Sequence, residues 1–92
     1  MTTVIFTAGA RRALIRIAVL IAQDNEDAAF RLVADLEKRV RETLSLFPEA
    51  GAKAQMGRRF ITIRRYTTLY RYDAAANTVF VVDIYGAGQN WR

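Results

Sequence analysis

Arginine and tyrosine supply most of the chemistry in the C-terminal third of this chain. From residue 58 onward the arginines are Arg58, Arg59, Arg64, Arg65, Arg71 and Arg92, and Asp73 and Asp83 are the only carboxylates set against them. A guanidinium stays charged at physiological pH and grips phosphate or carboxylate through two parallel hydrogen bonds. Tyr66, Tyr70, Tyr72 and Tyr85 are interleaved with these cations. Their rings can stack on bases and their hydroxyls can donate. Such a basic, aromatic surface suits a phosphate backbone or an acidic partner segment.

Arg64, Arg65 and Arg71 are the main binding candidates, with cross-strand salt bridging or simple solvation as their structural alternative. On a continuous strand Arg64 and Arg65 point to opposite faces, so only one joins a given site. Tyr70 or Tyr72 is expected in the core, because aromatics favour strands for packing alone. Tyr85 is the better candidate for a site: it closes the last apolar run, and the glycines beside it admit a close partner. Trp91 reads either as an anchor packed on the domain or as an exposed recognition side chain.

Other chemistries lack their residues. The 92 residues contain no cysteine and no histidine, which removes disulfides, thiolate metal sites, the commonest zinc ligand and the usual general base. No phosphate-cradling glycine loop with its lysine occurs, and no Ser–His or Cys–His pair can form. Asp83 is expected to pair with a neighbouring arginine rather than to act as an acid or base. Neither a metal nor a cofactor is expected. The net charge of +5 points to nucleic acid or an acidic protein partner. Arg11, Arg12 and Arg16 interrupt the first apolar run, and no segment is apolar for long enough to span a bilayer, so the chain reads as cytoplasmic, with no membrane partner.

These side chains need a scaffold, and the apolar spacing describes one. Val4-Ile5-Phe6 is β-prone, and Thr7 is a good N-cap for a helix from Ala8 to about Gln23, with Leu14, Ile17 and Ile21 on its apolar face. Asp24-Asn25 breaks that helix and caps a second one, Glu26 to Leu46, with its stripe at Ala29, Val33, Leu36, Val40 and Leu44. Pro48 and Gly51 stop it, and so short a connection predicts a helical hairpin. A loop from Pro48 to Gly57 follows. Strands are then expected over about Arg59–Arg64, Tyr66–Tyr72 and Thr78–Tyr85. Strict alternation in the last places Phe80, Val82 and Ile84 on one face and Val79, Val81, Asp83 and Tyr85 on the other. The result is a single α+β domain over residues 1–92, ordered βααβββ, its helical hairpin on one face of a small, mainly antiparallel sheet.

Four ordered motifs resemble the RelE/ParE superfamily of bacterial toxins. They are Phe6-Thr7-x-x-Ala10, Phe47-Pro48-x-x-Gly51, Tyr66-x-x-Leu69-Tyr70-Arg71 and Ile84-Tyr85-Gly86-x-x-Gln89-x-Trp91. The resemblance implies the toxin of a type II toxin–antitoxin pair, held in a hetero-oligomeric complex by an antitoxin whose extended segment wraps it. RelE-like members cleave messenger RNA at the ribosome with cationic side chains and no metal. ParE-like members poison DNA gyrase by binding. Here Thr67 stands where the nuclease branch carries a catalytic arginine, Thr62 and Ile63 where lysines are frequent, and the tail lacks the basic cluster. Metal-free RNA cleavage needs a group to activate the 2′-hydroxyl and positive charge on the phosphorane. Neutral tyrosine is a poor base at pH 7.

The resemblance therefore favours a ParE-like gyrase inhibitor, non-enzymatic, with Arg64, Arg71, Tyr85 and Trp91 on its toxic surface. The alternatives are a ribosome-dependent endoribonuclease using Arg64, Arg71 and Tyr85, and a non-toxic relative that only binds nucleic acid or its partner.

Overall fold

A computed structural model describes residues 1–86. Its order is β1 (Thr3–Phe6), α1 (Ala8–Ala22), α2 (Glu26–Leu46), β2 (Ala52–Lys53), a short turn of 3-10 type (Gln55–Gly57), β3 (Arg59–Ile63), β4 (Tyr66–Asp73) and β5 (Thr78–Tyr85). The sheet runs β1-β5-β4-β3-β2. Only the β1–β5 pair is parallel, reached by the crossover through both helices. The expected α+β domain is present, with one strand more than the sequence pattern indicated: β2 lies within the stretch read as a loop.

Both helices begin where side-chain caps predict. Thr7 Oγ1 accepts the Ala10 N–H at 3.3 Å, and Asn25 Oδ1 accepts the Ala28 N–H at 3.0 Å. Each bond satisfies a backbone donor that the first turn leaves orphaned. Thr7 Oγ1 also donates to the Val81 carbonyl at 2.8 Å, so the same hydroxyl ties the start of α1 to β5. Two helices of 15 and 21 residues then pack on one sheet face. That interface buries Ala13, Leu14 and Ile17 of α1 with Leu36, Val40 and Leu44 of α2, against Val4, Phe6, Tyr70, Val79, Val81 and Ile84. Fully burying such a side chain contributes roughly 1.5–3 kcal/mol, so about a dozen of them dominate the stability of so short a chain.

The expected alternation of β5 fails at one place. Leu69 of β4 faces Asp83, but Tyr70 faces Val81, so Val82 is an extra residue on β5. This β-bulge flips the side-chain parity, placing Val79 and Val81 in the core on one side of it and Ile84 on the other. Phe80 therefore belongs to the outer face, not with Ile84. Asp83 Oδ1 takes the Ile84 N–H at 2.8 Å beside the bulge, where the ladder is irregular.

The free edge of β1 is covered rather than exposed. Arg41 of α2 donates to the Val4 carbonyl at 2.8 Å and lies over the Phe6 ring, and the Thr2 N–H reaches the Ser45 carbonyl at 3.1 Å. An uncovered edge would offer a template for pairing with another chain.

Candidate functional site

The strand expected over Arg59–Arg64 ends at Ile63, and Arg64 and Arg65 instead form the tight turn into β4. Their φ values are 51° and 69°. A two-residue hairpin with both central residues left-handed matches the twist of its strands, but glycine or asparagine normally occupies it. Arg64 reaches Asp35 on α2, and Asp35 also accepts from Arg39 Nε at 2.9 Å. The Arg64 hydrogen bond, followed by that of Arg39, holds the Asp35 carboxyl below the usual carboxylate range. Arg64 thus belongs to the helix side of the molecule, and the expected division of Arg64 and Arg65 between two strand faces does not occur.

Arg71 sits elsewhere. It faces Phe80 across β4 and β5 on the outer face, its guanidinium 4.7 Å from the ring centroid. That distance suits a cation–π contact. Tyr85 is on the same outer face but opposite Thr67, four residues along β4 from Arg71, which separates the two by roughly 13 Å at the usual strand rise. Hydrogen bonding toward the Asp83 carboxylate, then burial and the Asp83 charge, raise the Tyr85 phenol above the ordinary tyrosine range. Asp83 in turn lies 3.7 Å from Arg16 of α1, an ion pair of the expected kind with a partner that sequence reading did not name. Trp91 lies outside the described residues.

Arg64, Arg71 and Tyr85 therefore do not converge on one centre. The row that crosses the sheet at Tyr85 consists of Thr62, Thr67 and Tyr85, directly opposite one another on β3, β4 and β5. It carries two short hydroxyls and a phenol, with no cation in the row itself. A phenol raised above the ordinary tyrosine range is held in its neutral form at neutral pH. The row itself is therefore poorly equipped to remove a proton, and the cations that act on its phenol, Arg16 and Arg58, stand outside it. Among the described residues no group of three or more carboxylate, histidine or cysteine side chains could hold a metal ion, and no helix is long and apolar enough to cross a membrane.

Several residues of the expected set are structural. Tyr70 is fully buried, and its hydroxyl accepts the Gly51 N–H at 2.9 Å. Arg59 donates to the Gly51 carbonyl at 2.9 Å, so Gly51 is held from both sides. A Cβ on Gly51 would lie 2.7 Å from the Phe60 carbonyl and 2.7 Å from the Tyr70 hydroxyl. Phe47-Pro48-x-x-Gly51 and Leu69-Tyr70 are thus two halves of one packed contact. Tyr72 packs against the core and donates to Asn77 Oδ1 at 3.1 Å in the β4–β5 turn.

Two concave surfaces were not anticipated from the sequence. One is a groove along the outside of the helical hairpin, with Leu14, Ile15, Val19, Phe30 and Val33 between Arg11, Glu26 and Glu37. Ile15 and Phe30 are 63% and 81% exposed there, a large apolar allowance for a surface helix pair. Their spacing relative to the core stripe was a legible signal: apolar residues continue round the helices beyond the buried face. The other is an open cleft of about 660 Å³ between the end of the hairpin and the Arg64–Arg65 turn, with Arg16, Leu20, Ile21 and Leu32 among its lining residues.

Comparison with known proteins agrees with this architecture. A chain of the chromosomal ParDE toxin–antitoxin system from P. aeruginosa is 18% identical, with a TM-score of 0.77 over 95% of this chain and 97% of that one. A chain of the RelBE2 toxin–antitoxin complex from Mycobacterium tuberculosis is 24% identical, with a TM-score of 0.70 over 92% and 96%. The isolated E. coli RelE toxin is 17% identical, with a TM-score of 0.64 over 99% and 89%. Likeness at these identities carries the fold alone. No curated protein sequence matches the chain. The sequence model describing the ParE toxin of the type II toxin–antitoxin system parDE matches residues 4–91, nearly the entire length. With its fold shared by ParDE and RelBE structures and its sequence spanned by that signature, this chain belongs to the ParE toxin family of type II toxin–antitoxin systems.

Proposed function

We propose that this toxin acts by binding DNA gyrase rather than by cleaving RNA, and that a cognate antitoxin holds it inactive in the cytoplasm. The observation that carries the reading is the Thr62–Thr67–Tyr85 row. At the end of the sheet where the resemblance to RelE-like nucleases would put cations, this chain presents hydroxyls, and its one phenol is drawn toward its neutral form by Asp83. A binding toxin requires no proton transfer, so the same residues are no handicap to it. Arg64, Arg71, Tyr85 and Trp91 contribute to the toxic surface as separated contacts, as the spread of the first three over both sides of the sheet favours. The antitoxin lays an apolar stretch along the groove of the helical hairpin and an acidic stretch toward the basic sheet.

The test is a gyrase assay with antitoxin-free protein, scored for lost supercoiling and for trapped cleaved DNA. Inhibition or trapped cleavage is the expected result. Folded protein that arrests growth, spares gyrase and cuts transcripts within coding regions overturns the reading in favour of the nuclease, whose signature would be loss of cutting in Arg71→Ala or Tyr85→Phe. Growth arrest that survives alanine at Arg64, Arg71, Tyr85 and Trp91, each changed singly, removes those residues from the toxic surface.

A further inference from the structure

We propose that the cleft between the helical hairpin and the β3–β4 turn is a receptor for an acidic peptide segment that carries a large aliphatic side chain. Arg16, Arg64 and Arg65 grip its carboxylates, and Leu20, Ile21 and Leu32 seat the aliphatic group. The inference rests on the reading that a protein partner neutralises this toxin, and it assigns that partner's chemistry at a defined place.

Three observations carry it. First, two of the cleft's arginines already pair with carboxylates of their own chain: Asp35 with Arg64, and Asp83 3.7 Å from Arg16. The two arginine side chains remain 44% and 48% exposed, so these are surface pairs worth little, and an incoming carboxylate can share or replace them at small cost. Second, Arg65 is exposed and has no carboxylate partner among the described residues, although it sits beside two arginines that do. It is held there with a φ of 69°, a left-handed conformation that a residue with a Cβ adopts only at a cost. Backbone strain retained at an exposed cationic turn, where glycine would relieve it, points to a role for the side chain there. Third, the floor is aliphatic. Leu20 is 55% exposed at its edge, and Ile21 and Leu32 are only partly covered by the core.

The floor decides between partner classes. A nucleic-acid strand brings phosphates for the arginines but gains most from aromatic platforms on which bases stack. Among the described residues Tyr66 is the only aromatic side chain lining the cleft, whereas four of its residues are leucine or isoleucine. An acidic segment with a leucine or similar side chain satisfies both the rim and the floor.

Binding can be measured by fluorescence anisotropy with a short labelled peptide of aspartate, glutamate and leucine. The comparison probes are the same peptide with asparagine and glutamine in place of its acids, and an oligothymidine of similar length. The acidic peptide is expected to bind, with affinity falling as salt rises. Arg65→Glu should weaken it by about tenfold or more, as like charges opposed across an interface do. Lys38→Glu makes the same charge change on the solvated face of α2 and should alter binding less than about twofold. Arg65→Gly removes the cation while relieving the turn, so a loss of binding there does not depend on misfolding. Equal binding of the amide peptide, unchanged binding in both Arg65 variants, or displacement of the peptide by oligothymidine overturns the proposal. Failure of the peptide in protein that inhibits gyrase and is neutralised by its antitoxin defeats this inference alone. Peptide binding in a protein that leaves gyrase untouched defeats the gyrase reading alone.

Discussion

The β2–β3 and β3–β4 hairpins each turn through two left-handed residues, but with opposite chemistry. At the first tip Met56 and Gly57 have φ values of 61° and 71°, and the Arg58 N–H bonds the Gln55 carbonyl at 3.3 Å. At the second, Arg64 and Arg65 have 51° and 69°. Both are turns with two left-handed central residues, the form whose twist suits a two-residue hairpin. The first follows the local rule by supplying glycine at one of the two positions. The second ignores it twice. The contact that answers it is tertiary: Arg64 pairs with Asp35 on α2, a surface pair that offsets only part of what the turn's own residues disfavour. A turn that is cheap by itself leaves its side chains unassigned, and Met56 points to solvent at 81% exposure. A turn that must be held in place delivers its side chains to a fixed location, here the rim of the cleft.

The hairpins can be broken separately. The largest expected effect is at the base of the first one, where Gly51→Ala forces a Cβ against the Phe60 carbonyl and the Tyr70 hydroxyl. The rigid backbone on one side and a buried ring on the other leave little room to relax, so a loss of about 3 kcal/mol in urea unfolding is expected. A loss below about 0.5 kcal/mol would show that the contact between Gly51 and Tyr70 is not a fixed part of the hairpin.

At the tips the two turns should respond with opposite signs. Gly57→Ala introduces a left-handed residue with a Cβ and should cost about 1 kcal/mol, although nothing crowds the site. Arg65→Gly removes the same penalty and should stabilise by about the same amount. Arg64→Gly should be nearly neutral, because relief of strain is offset by loss of the tie to Asp35. Thermal midpoints of the three variants check all three signs together. Destabilisation by Arg65→Gly would mean that the second turn is not strained in the way its dihedral angles imply.

The smallest effect is a matter of pH. Because the Asp35 carboxyl is held below its unfolded value by Arg64 and then Arg39, its contribution is present in full above about pH 4 and is lost as pH falls through the lower folded value. The stability difference between the wild type and Asp35→Asn should therefore shrink on acidification below that point and stay level between pH 5 and 8. A difference that grew in acid would contradict the assignment. Salt should narrow it as well, since the pair is exposed.

Much of this protein was determined by its sequence alone. Thr7 and Asn25 announced the helix starts, the apolar stripes named the faces that pack, and four ordered motifs carried the family. Local causes explain that success: caps, periodicity and turn residues act over a few positions, which a single chain displays openly. For the candidate site the sequence nominated Arg64, Arg71 and Tyr85, but it did not show where they stand relative to one another.

Tertiary structure alone decided three things. The bulge at Val82 reversed the faces of β5, because strand parity depends on the partner's register and not on the strand's own alternation. The two-arginine turn was invisible because no local rule favours it; its stabilising residue, Asp35, lies 29 positions away on another element. The separation of Arg71 from Tyr85 followed from strand pairing, which set them on one face but at different heights. Spacing along the chain states which groups a protein owns, whereas their distances in space are set by contacts between elements that no local pattern records.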